Sequence, residues 1–510
     1  MTRVSISAGS ALAAETGAGV ADAGGNAVDA AVAATVTAMT TEPGIIAPGA
    51  GTFVTVWAPG SDPVVIDGYA VMPGIGHANP DSGDFGKRIF MEYGGGMHTL
   101  VGAGSVTVPG VWAALGSAIE RFGARSWADA MAPATAIAQE GFRFSAVSAA
   151  YLSYAHEPIF DADPESWRAL HHDDGTRVSE GEVVRIAGLA DSLQAIADDG
   201  PATWYTGDLA RRMVDAVAAG GGRLTSADLE QYRALDREPI TVELDGWTVA
   251  TNPAPAVGGA VMAALLLLIV DAGFSAWSDD HTRVMAEVQR AVLRHRTRHL
   301  DGADDAAAAV ETLLGEARKG DYRRLLGSPS TVHVSAVDSN GLACAITTSA
   351  GYGSGTMIPG TGLWLNNCLG EIELHPDAGL ATQPGERLAS NMAPTVARHE
   401  SGAVLAIGSP GASRITTAIA QVLVNHIRLG MSITDAVAHP RLHVEVFEGD
   451  PTIAHEPGIP VEAFADLVVR RFPDLSMYFG GVGLALWDPH AGLFEAADPR
   501  RSGAVATGGT

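Results

Sequence analysis

The sequence has 510 residues, and its 32 basic and 58 acidic side chains leave a formal net charge of 32 − 58 = −26. Only Lys87 and Lys319 are lysines, so 30 of the 32 basic residues are arginines. Because nucleic acids and anionic membranes are bound by clustered cations, this charge argues against either as the main partner. The hydrophobic content of 47% is typical of a globular protein and excludes a disordered one.

The cysteines and the apolar segments exclude further classes of protein. Cys344 and Cys368 are too few for a disulfide framework, and they lack the Cys-x-x-Cys spacing of zinc or redox sites. The longest apolar run, 261–270, has ten residues, which predicts a buried helix, because a membrane-spanning helix needs about 20. The first twenty residues contain no apolar core of a secretion signal, so we expect a cytoplasmic protein.

Hydrophobic periodicity predicts a helix-rich first part, 1–330, and a strand-rich second part, 331–510. In the first part, helices are predicted within 8–39 with a break at Gly24-Gly25, at 111–122, at 127–140, within 150–235, after the turn 253–259 and at 280–300; strands at 52–57, 64–66 and 242–250; and irregular structure at 74–99 and 301–330, the latter as a mobile connector. The second part predicts a hairpin of 332–337 and 342–348 around an Asp-Ser-Asn-Gly turn, and a helix at 415–429.

The weaker motifs do not predict a metal or a cofactor. The glycine pairs near 48–51 and 351–355 lack a full G-x-G-x-x-G and a Walker lysine, so glycine turns are the favoured interpretation. His295 and His299 have the spacing of a zinc-binding helical pair, but two arginines stand between them. His439 and His443 have the same spacing with a proline between them, and no G-x-S-x-G motif of a serine hydrolase occurs.

Thr331 has an unusual position, because it opens a strand directly after the predicted connector. A threonine freed at an N-terminus combines an attacking hydroxyl with an α-amine of pKa about 7.7–8.0, which can accept the proton. Spacing alone still favours the ordinary interpretation of Thr331 as a β-branched strand residue.

The chain resembles the γ-glutamyltranspeptidase family of N-terminal-nucleophile hydrolases in an ordered series of motifs. These motifs are GGNAVDAAVA at 24–33, segments 42–43 and 49–53, 108–110, 122–123, 140–142, 253–259, TVHVS at 331–335, 360–362 with 365–367, 392–395, and GSPGASR at 408–414. Each match alone is weak, whereas their order over most of the chain is specific.

This resemblance implies an α+β fold, the four-layer αββα sandwich of the Ntn hydrolases, made as one precursor. In the family the precursor cuts itself before the threonine, here between Ser330 and Thr331, and gives associated subunits of 1–330 and 331–510. The new N-terminal threonine then attacks an amide, usually γ-glutamyl, and water or an amine accepts the acyl group. The implied partners are therefore a small-molecule acyl donor and its acceptor, without a cofactor.

Three further catalytic positions follow from the resemblance. The second hydroxyl, which hydrogen-bonds the nucleophile in the family, falls at Ser349, with Thr347 two residues earlier. The backbone N–H groups of the oxyanion hole fall at Gly411 and Ala412. Replacement of the family's second glycine by alanine leaves the N–H in place.

The implied substrate-binding positions depart more from the family. Tyr69 stands where an arginine of the family binds the α-carboxylate of the γ-glutamyl group. A phenol has neither the positive charge nor the two parallel N–H donors of a guanidinium. Glu371 replaces the aspartate that holds the α-ammonium, and Ser390 and Asn391 replace two serines. Arg387 and Arg414 lie in shared motifs and offer no obvious compensation.

Three functions remain open at this point. The first is an autoprocessed hydrolase or acyltransferase acting on a γ-glutamyl or related small acyl substrate. The second is a biosynthetic tailoring hydrolase that removes another acyl group, such as an oxamate-like amide, or cleaves a C–C bond. The third is a non-catalytic scaffold that keeps the precursor fold, against which the retained Thr331, Ser349 and glycine loop argue.

Overall fold

The computed structural model describes residues 2–77, 85–91, 97–301, 303, 305–319, 332–372, 374–375, 382–411, 414–446, 451–460, 462–464 and 467–509. The chain begins with β1 (Val4–Ala8), α1 (Ala11–Asp22), α2 (Ala27–Thr41), β2 (Gly51–Trp57), β3 (Val64–Gly68), β4 (Lys87–Met91) and β5 (Met97–Val101). A mainly helical stretch follows, with α3 (Val111–Phe122), α4 (Trp127–Glu140), β6 (Phe142–Arg143), α5 (Ala146–Ala155), α6 (Pro164–Leu170), β7 (Val183–Val184), α7 (Leu189–Asp199), α8 (Gly207–Ala219) and α9 (Ser226–Gln231).

The next elements are β8 (Leu235–Arg237), β9 (Ile240–Leu244), β10 (Trp247–Thr251), α10 (Gly258–Asp271), α11 (Asp279–His299) and α12 (Ala306–Ala317). The remainder of the chain forms β11 (Val332–Asp338), β12 (Ala343–Ser349), β13 (Met357–Ile358), β14 (Leu363–Trp364), β15 (Thr395–His399), β16 (Val404–Gly408), α13 (Arg414–Leu423), α14 (Ile433–Ala438), β17 (Leu442–Glu445), β18 (Thr452–His455), β19 (Val468–Arg471), β20 (Gly483–Asp488), β21 (Gly492–Ala497) and β22 (Ala504–Gly508).

Two large antiparallel sheets organise these elements. One sheet has the order β22-β1-β11-β12-β2-β3-β8, and the other has the order β21-β20-β16-β15-β10-β9. Each sheet combines strands from before and after position 331, because β1, β2, β3 and β8 flank β11 and β12 while β9 and β10 pair alongside β15. A cut at that position would therefore leave two chains that share both sheets.

The alternation of side chains along the strands shows that the two sheets pack face to face. On β12, Ala343 and Ala345 belong to a core cluster between the sheets, with Ala406 and Val404 of β16 opposite them. The intervening Cys344 and Ile346 of β12 point to the other face, where they join the core formed with α1 to α4. Leu405 and Ile407 of β16 likewise join α10, α11 and α13 on the outer face of the second sheet. The four layers are therefore helix, sheet, sheet and helix, as expected from the resemblance.

The described elements confirm most of the predicted ones and correct four. β1 was not predicted, and the glycine-rich stretch 74–99 contains the hairpin strand β4 and the start of β5. The predicted strand 242–250 is a hairpin, β9 and β10, because Asp245 and Gly246 both have positive φ (43° and 84°) and form its turn. The predicted connector 301–330 includes the helix α12, whose Leu313 and Leu314 are buried; residues 320–330 lie outside the described part.

The described residues hold neither a membrane-spanning candidate nor a metal cluster. Within those residues, each helix is too short or too polar to cross a bilayer. No group of three His, Cys, Asp or Glu side chains in the described part could hold a metal ion. Cys344 and Cys368 are both buried and unbonded to each other.

A buried carboxylate joins the start of α2 to the end of α3. Asp29 accepts hydrogen bonds from the backbone N–H groups of Asn26 and Ala124, both at 2.8 Å, and of Arg125 at 3.1 Å. The Asn26 side chain caps the helix in return and donates to the Phe122 carbonyl at 2.6 Å. This reciprocal capping box explains why the first matched motif keeps Asn26 and Asp29.

We expect Asp29→Asn to destabilise the protein by about 2–3 kcal/mol, because an amide NH₂ would face backbone donors in a buried site. The matched control is Asp129→Asn in the exposed capping box of α4, where the loss should stay below about 1 kcal/mol. Urea denaturation of both variants measures the difference, and equal losses would contradict this role of Asp29.

Candidate functional site

The predicted nucleophile, Thr331, directly precedes β11 in the chain, and the predicted second hydroxyl, Ser349, ends β12. Val332 lies opposite Thr348, and Ser349 lies opposite Gly51 on the other side of β12. Ser330, Thr331 and Ala412 lie outside the described residues, so the roles of these three remain predictions. Val332, the residue that follows Thr331 in the chain, thus pairs with the residue immediately before Ser349.

Ser349 is buried at the end of β12. Its Oγ accepts a hydrogen bond from the Gly351 N–H at 3.1 Å. Thr52 of β2 donates to the Thr347 carbonyl at 2.9 Å and contacts the Thr348 hydroxyl at 2.9 Å. The strand that presents the predicted second hydroxyl is therefore fixed by side-chain bonds in addition to its ladder.

A buried histidine, two residues after Thr331, links β11 and β12. His333 Nδ1 lies 2.9 Å from the Thr347 hydroxyl, and His333 Nε2 lies 2.6 Å from the Ser335 hydroxyl. Ser335 donates in turn to the Gly483 carbonyl at 3.1 Å, so its oxygen is left to accept from a protonated Nε2. Burial lowers the pKa of His333 to about 3, which keeps the ring neutral near pH 7.

The same histidine explains a glycine of the 408–414 motif. A Cβ at Gly408 would lie 2.3 Å from the His333 ring, closer than side-chain atoms approach each other. In the sequence, His333 and Gly408 stand out only as members of two separate matched motifs. Their side-by-side packing, which brings β11 against β16 of the other sheet, could not be found from either segment alone.

The predicted oxyanion loop also has a glycine that the backbone requires. Gly411 has φ of +126°, and a Cβ there would meet the Gly480 Cα at 2.7 Å. Ser409 steadies the loop, because its hydroxyl accepts from the Gly481 N–H at 3.0 Å and donates to the Pro410 carbonyl at 2.6 Å. The loop is thus held against the 477–481 segment.

The predicted substrate-binding residues lie together in a closed cluster. The Tyr69 hydroxyl donates to Glu371 Oε2 at 3.3 Å, and both residues are 1% exposed. Ser390 hydrogen-bonds the same phenol, and Cys368 lies beside it. Burial raises the pKa of Tyr69 well above its usual range, and the nearby Cys368 and Glu371 raise it further. Tyr69 is thus a neutral donor whose hydrogen bond is taken by Glu371.

Asn391 is buried next to Ser390 at the edge of this cluster. The backbone there is enclosed by α10, since a Cβ at Gly258 would lie 2.0 Å from the Asn391 carbonyl oxygen. Val257 and Gly258 donate their N–H groups to the Ser390 carbonyl at 2.8 and 3.1 Å. Gly258 of the 253–259 motif therefore allows α10 to approach the cluster closely.

The two arginines considered as substitutes for the missing one are already engaged. Arg387 pairs with buried Asp67, with Nε 3.2 Å from Oδ1, and stacks on Tyr232 at 4.6 Å. Arg414 donates from Nε to the Tyr478 carbonyl at 2.9 Å and stacks on the Tyr478 ring at 4.5 Å. These contacts leave Tyr69 without a guanidinium substitute from either motif.

A cavity of about 370 Å³ opens beside the loop that follows β12. It is lined by Gly44, Ile45, Met91, Ala146, Val147, Ala150, Tyr151, Tyr154, Gly351, Tyr352, Met477, Pro499, Arg500, Arg501 and Ser502. The volume lies within the range of small-molecule sites. Residues of the Tyr69 cluster take no part in its lining.

Comparisons with known proteins show the family to which this chain belongs. The family model for gamma-glutamyltranspeptidase matches residues 13–508. A glutathione hydrolase proenzyme of Pseudomonas aeruginosa is 30% identical over 529 residues, covering 96% of this chain and 92% of the relative. An acylase ACY 1 proenzyme of Pseudomonas sp. strain V22 is also 30% identical, over 525 residues, covering 96% of this chain and 91% of the relative.

A solved structure supports the same conclusion. The crystal structure of cephalosporin acylase from Bacillus halodurans superposes with a TM-score of 0.84 at 25% identity and covers 99% of this chain and 96% of that one. The similar relatives thus include proteins named as glutathione hydrolases and as acylases. The chain is an enzyme of the γ-glutamyltranspeptidase family and has the Ntn-hydrolase fold.

Proposed function

We propose that this enzyme is made as a precursor, cuts itself between Ser330 and Thr331, and then hydrolyses or transfers the acyl group of a small amide through Thr331. The register of β11 and β12 carries the proposal. Val332, the residue after Thr331, lies opposite Thr348, the residue before Ser349. This pairing supports a hydrogen bond between the Thr331 and Ser349 hydroxyls. The two chains would stay together because both sheets combine strands from each of them.

The chemistry needs a nucleophile, a base and a site for the oxyanion. The Thr331 hydroxyl attacks the amide carbonyl, and its freed α-amine accepts the proton. Ser349 donates a hydrogen bond to the nucleophile, and the Gly411 and Ala412 N–H groups stabilise the oxyanion. The amine leaves with the proton, and water or an amine then releases the acyl group from Thr331. The names of the relatives as proenzymes support the cleavage step.

We further propose that the donor is an acyl group other than γ-glutamyl, as in the acylase and tailoring-hydrolase interpretation. The hydrogen bond between Tyr69 and Glu371 supports this choice, because one oxygen of the carboxylate that would hold a glutamyl ammonium already accepts from the phenol. A buried substrate carboxylate at Tyr69 would also lack a charged partner. Arg387, one of the two arginines considered as substitutes, is paired with Asp67.

In the proposed mechanism His333 is a positioning residue that does not contact the substrate. It orients the Thr347 hydroxyl, two residues before Ser349, and it fills the space left by Gly408. A charged imidazolium in this buried position would be costly. The protein therefore depends on His333 being neutral.

The first prediction concerns maturation. Thr331→Ala removes the attacking hydroxyl, so it should leave one uncut chain of 510 residues. Thr331→Ser is the matched control, because it keeps the hydroxyl and should still be cut. Denaturing electrophoresis and N-terminal sequencing measure both. Cleavage at 330/331 in the alanine variant would show that an external protease acts.

The second prediction concerns the donor. The ratio of kcat/KM for a γ-glutamyl amide and its 4-aminobutyryl analogue, which lacks the α-carboxylate, should stay below about 10 in this enzyme. Tyr69→Arg should raise that ratio, because it restores the guanidinium. A ratio of about 100 or more with Tyr69 in place would show that the site still grips the carboxylate.

The third prediction concerns pH. Burial lowers the pKa of His333 to about 3, below its unfolded value of about 6.5. The unfolded chain therefore binds the proton first, and stability falls as pH drops from about 6.5 towards 3, by about 1.4 kcal/mol per pH unit. His333→Gln should remove this contribution from the slope between pH 6 and 4. The exposed His490→Gln control should keep the full slope, and identical slopes in the two variants would refute the assignment.

A further inference from the structure

The cavity beside the β12 loop has an apolar and aromatic body. Ile45, Met91 and Val147 form part of its wall, with Tyr151 and Tyr154 of α5. The Tyr151 hydroxyl donates to the Tyr352 carbonyl, which fixes one aromatic ring at the wall. Such a lining favours an occupant with a hydrocarbon or aromatic body.

The cavity also has a cationic part. Among the described residues, Arg500 and Arg501 line it and no aspartate or glutamate does, although the chain has a net charge of −26. Arg500 is neutralised by Glu456 and by Asp498 at 3.1 Å. Arg501 donates weakly to the Met477 carbonyl at 3.4 Å, and its buried Nε has no hydrogen-bond partner. Among the described residues, no carboxylate pairs with Arg501.

The cavity adjoins both loops of the proposed catalytic site. Gly351, on one wall, donates its N–H to Ser349 Oγ at 3.1 Å. Met477, on another wall, begins the short helix Met477–Phe479, and the next residue, Gly480, packs against Gly411. A molecule in the cavity would therefore lie next to the predicted second hydroxyl and near the predicted oxyanion loop. The Tyr69 cluster, in contrast, is closed by its own hydrogen bond.

We propose that this cavity binds a small carboxylic acid with an apolar or aromatic body, its carboxylate on Arg501 and its body against Tyr151, Tyr154 and Met91. This assignment rests on the proposed function and names its substrate class. The part of the substrate that binds in the cavity is an apolar carboxylic acid. A half-buried guanidinium without a carboxylate partner among the described residues favours an anion, because an anion compensates its charge. The aromatic wall then excludes small hydrophilic acids.

Calorimetry with 4-phenylbutyrate and 4-phenylbutan-1-ol tests the proposal on the processed protein, since neither probe contains an amide that the enzyme could hydrolyse. The acid should bind at least about tenfold more tightly than the neutral alcohol, as expected for a charge-assisted contact. Arg501→Gln should abolish that difference. Ala150→Trp, which fills the cavity from the exposed side of α5, should weaken both probes. Arg471→Gln, an exposed arginine on β19, is the control and should change neither.

Absence of acid binding, equal binding of the two probes, or unchanged selectivity in Arg501→Gln would overturn the proposal. The acid should also inhibit amide hydrolysis competitively, and non-competitive inhibition would overturn the assignment of the cavity to the substrate. Failure of the proposed function has a different signature. A chain that binds the acid but never cuts at 330/331 or hydrolyses amides would contradict the function and leave the cavity assignment intact.

Discussion

The central position of β11 is the constraint on which the rest of the site depends. This strand is paired on one side with β1 and on the other with β12, in the middle of the seven-stranded sheet. Its first residue, Val332, pairs with Thr348 of β12, while the β1 ladder holds residues 335–338 and His333 packs against Gly408. The proposed nucleophile is thus attached to a strand that both ladders and the second sheet hold in place, and such preorganisation favours acyl transfer.

The proposed recognition site has a different balance of charge from the one that the family resemblance implies. A buried phenol hydrogen-bonds a buried carboxylate at Tyr69 and Glu371, whereas Arg501, which lines the separate cavity, has no carboxylate partner among the described residues. An anionic substrate bound as proposed would therefore gain most at Arg501. The family's catalytic frame and the specificity of this chain can therefore diverge independently.

Local patterns predicted the hairpin of β11 and β12, because its alternation and its turn residues lie within twenty residues of each other. The contact of β1 with β11 could not be predicted, since some 330 residues separate Ser7 from its partner Ser335. The helix α12 was missed because its alanine-rich, polar sequence carries a weak periodicity. The Tyr69–Glu371 pair was reached only through the family resemblance, and the cavity, assembled from six separate segments, left no signal in the sequence.

Acid-quenched mass spectrometry during turnover of an amide donor tests the central claim most directly. The account predicts an acyl adduct on the smaller chain of 510 − 330 = 180 residues, and peptide mapping should place it on its N-terminal Thr331. An adduct on Ser349 or on another residue, or turnover by an uncut chain without any adduct, would contradict it.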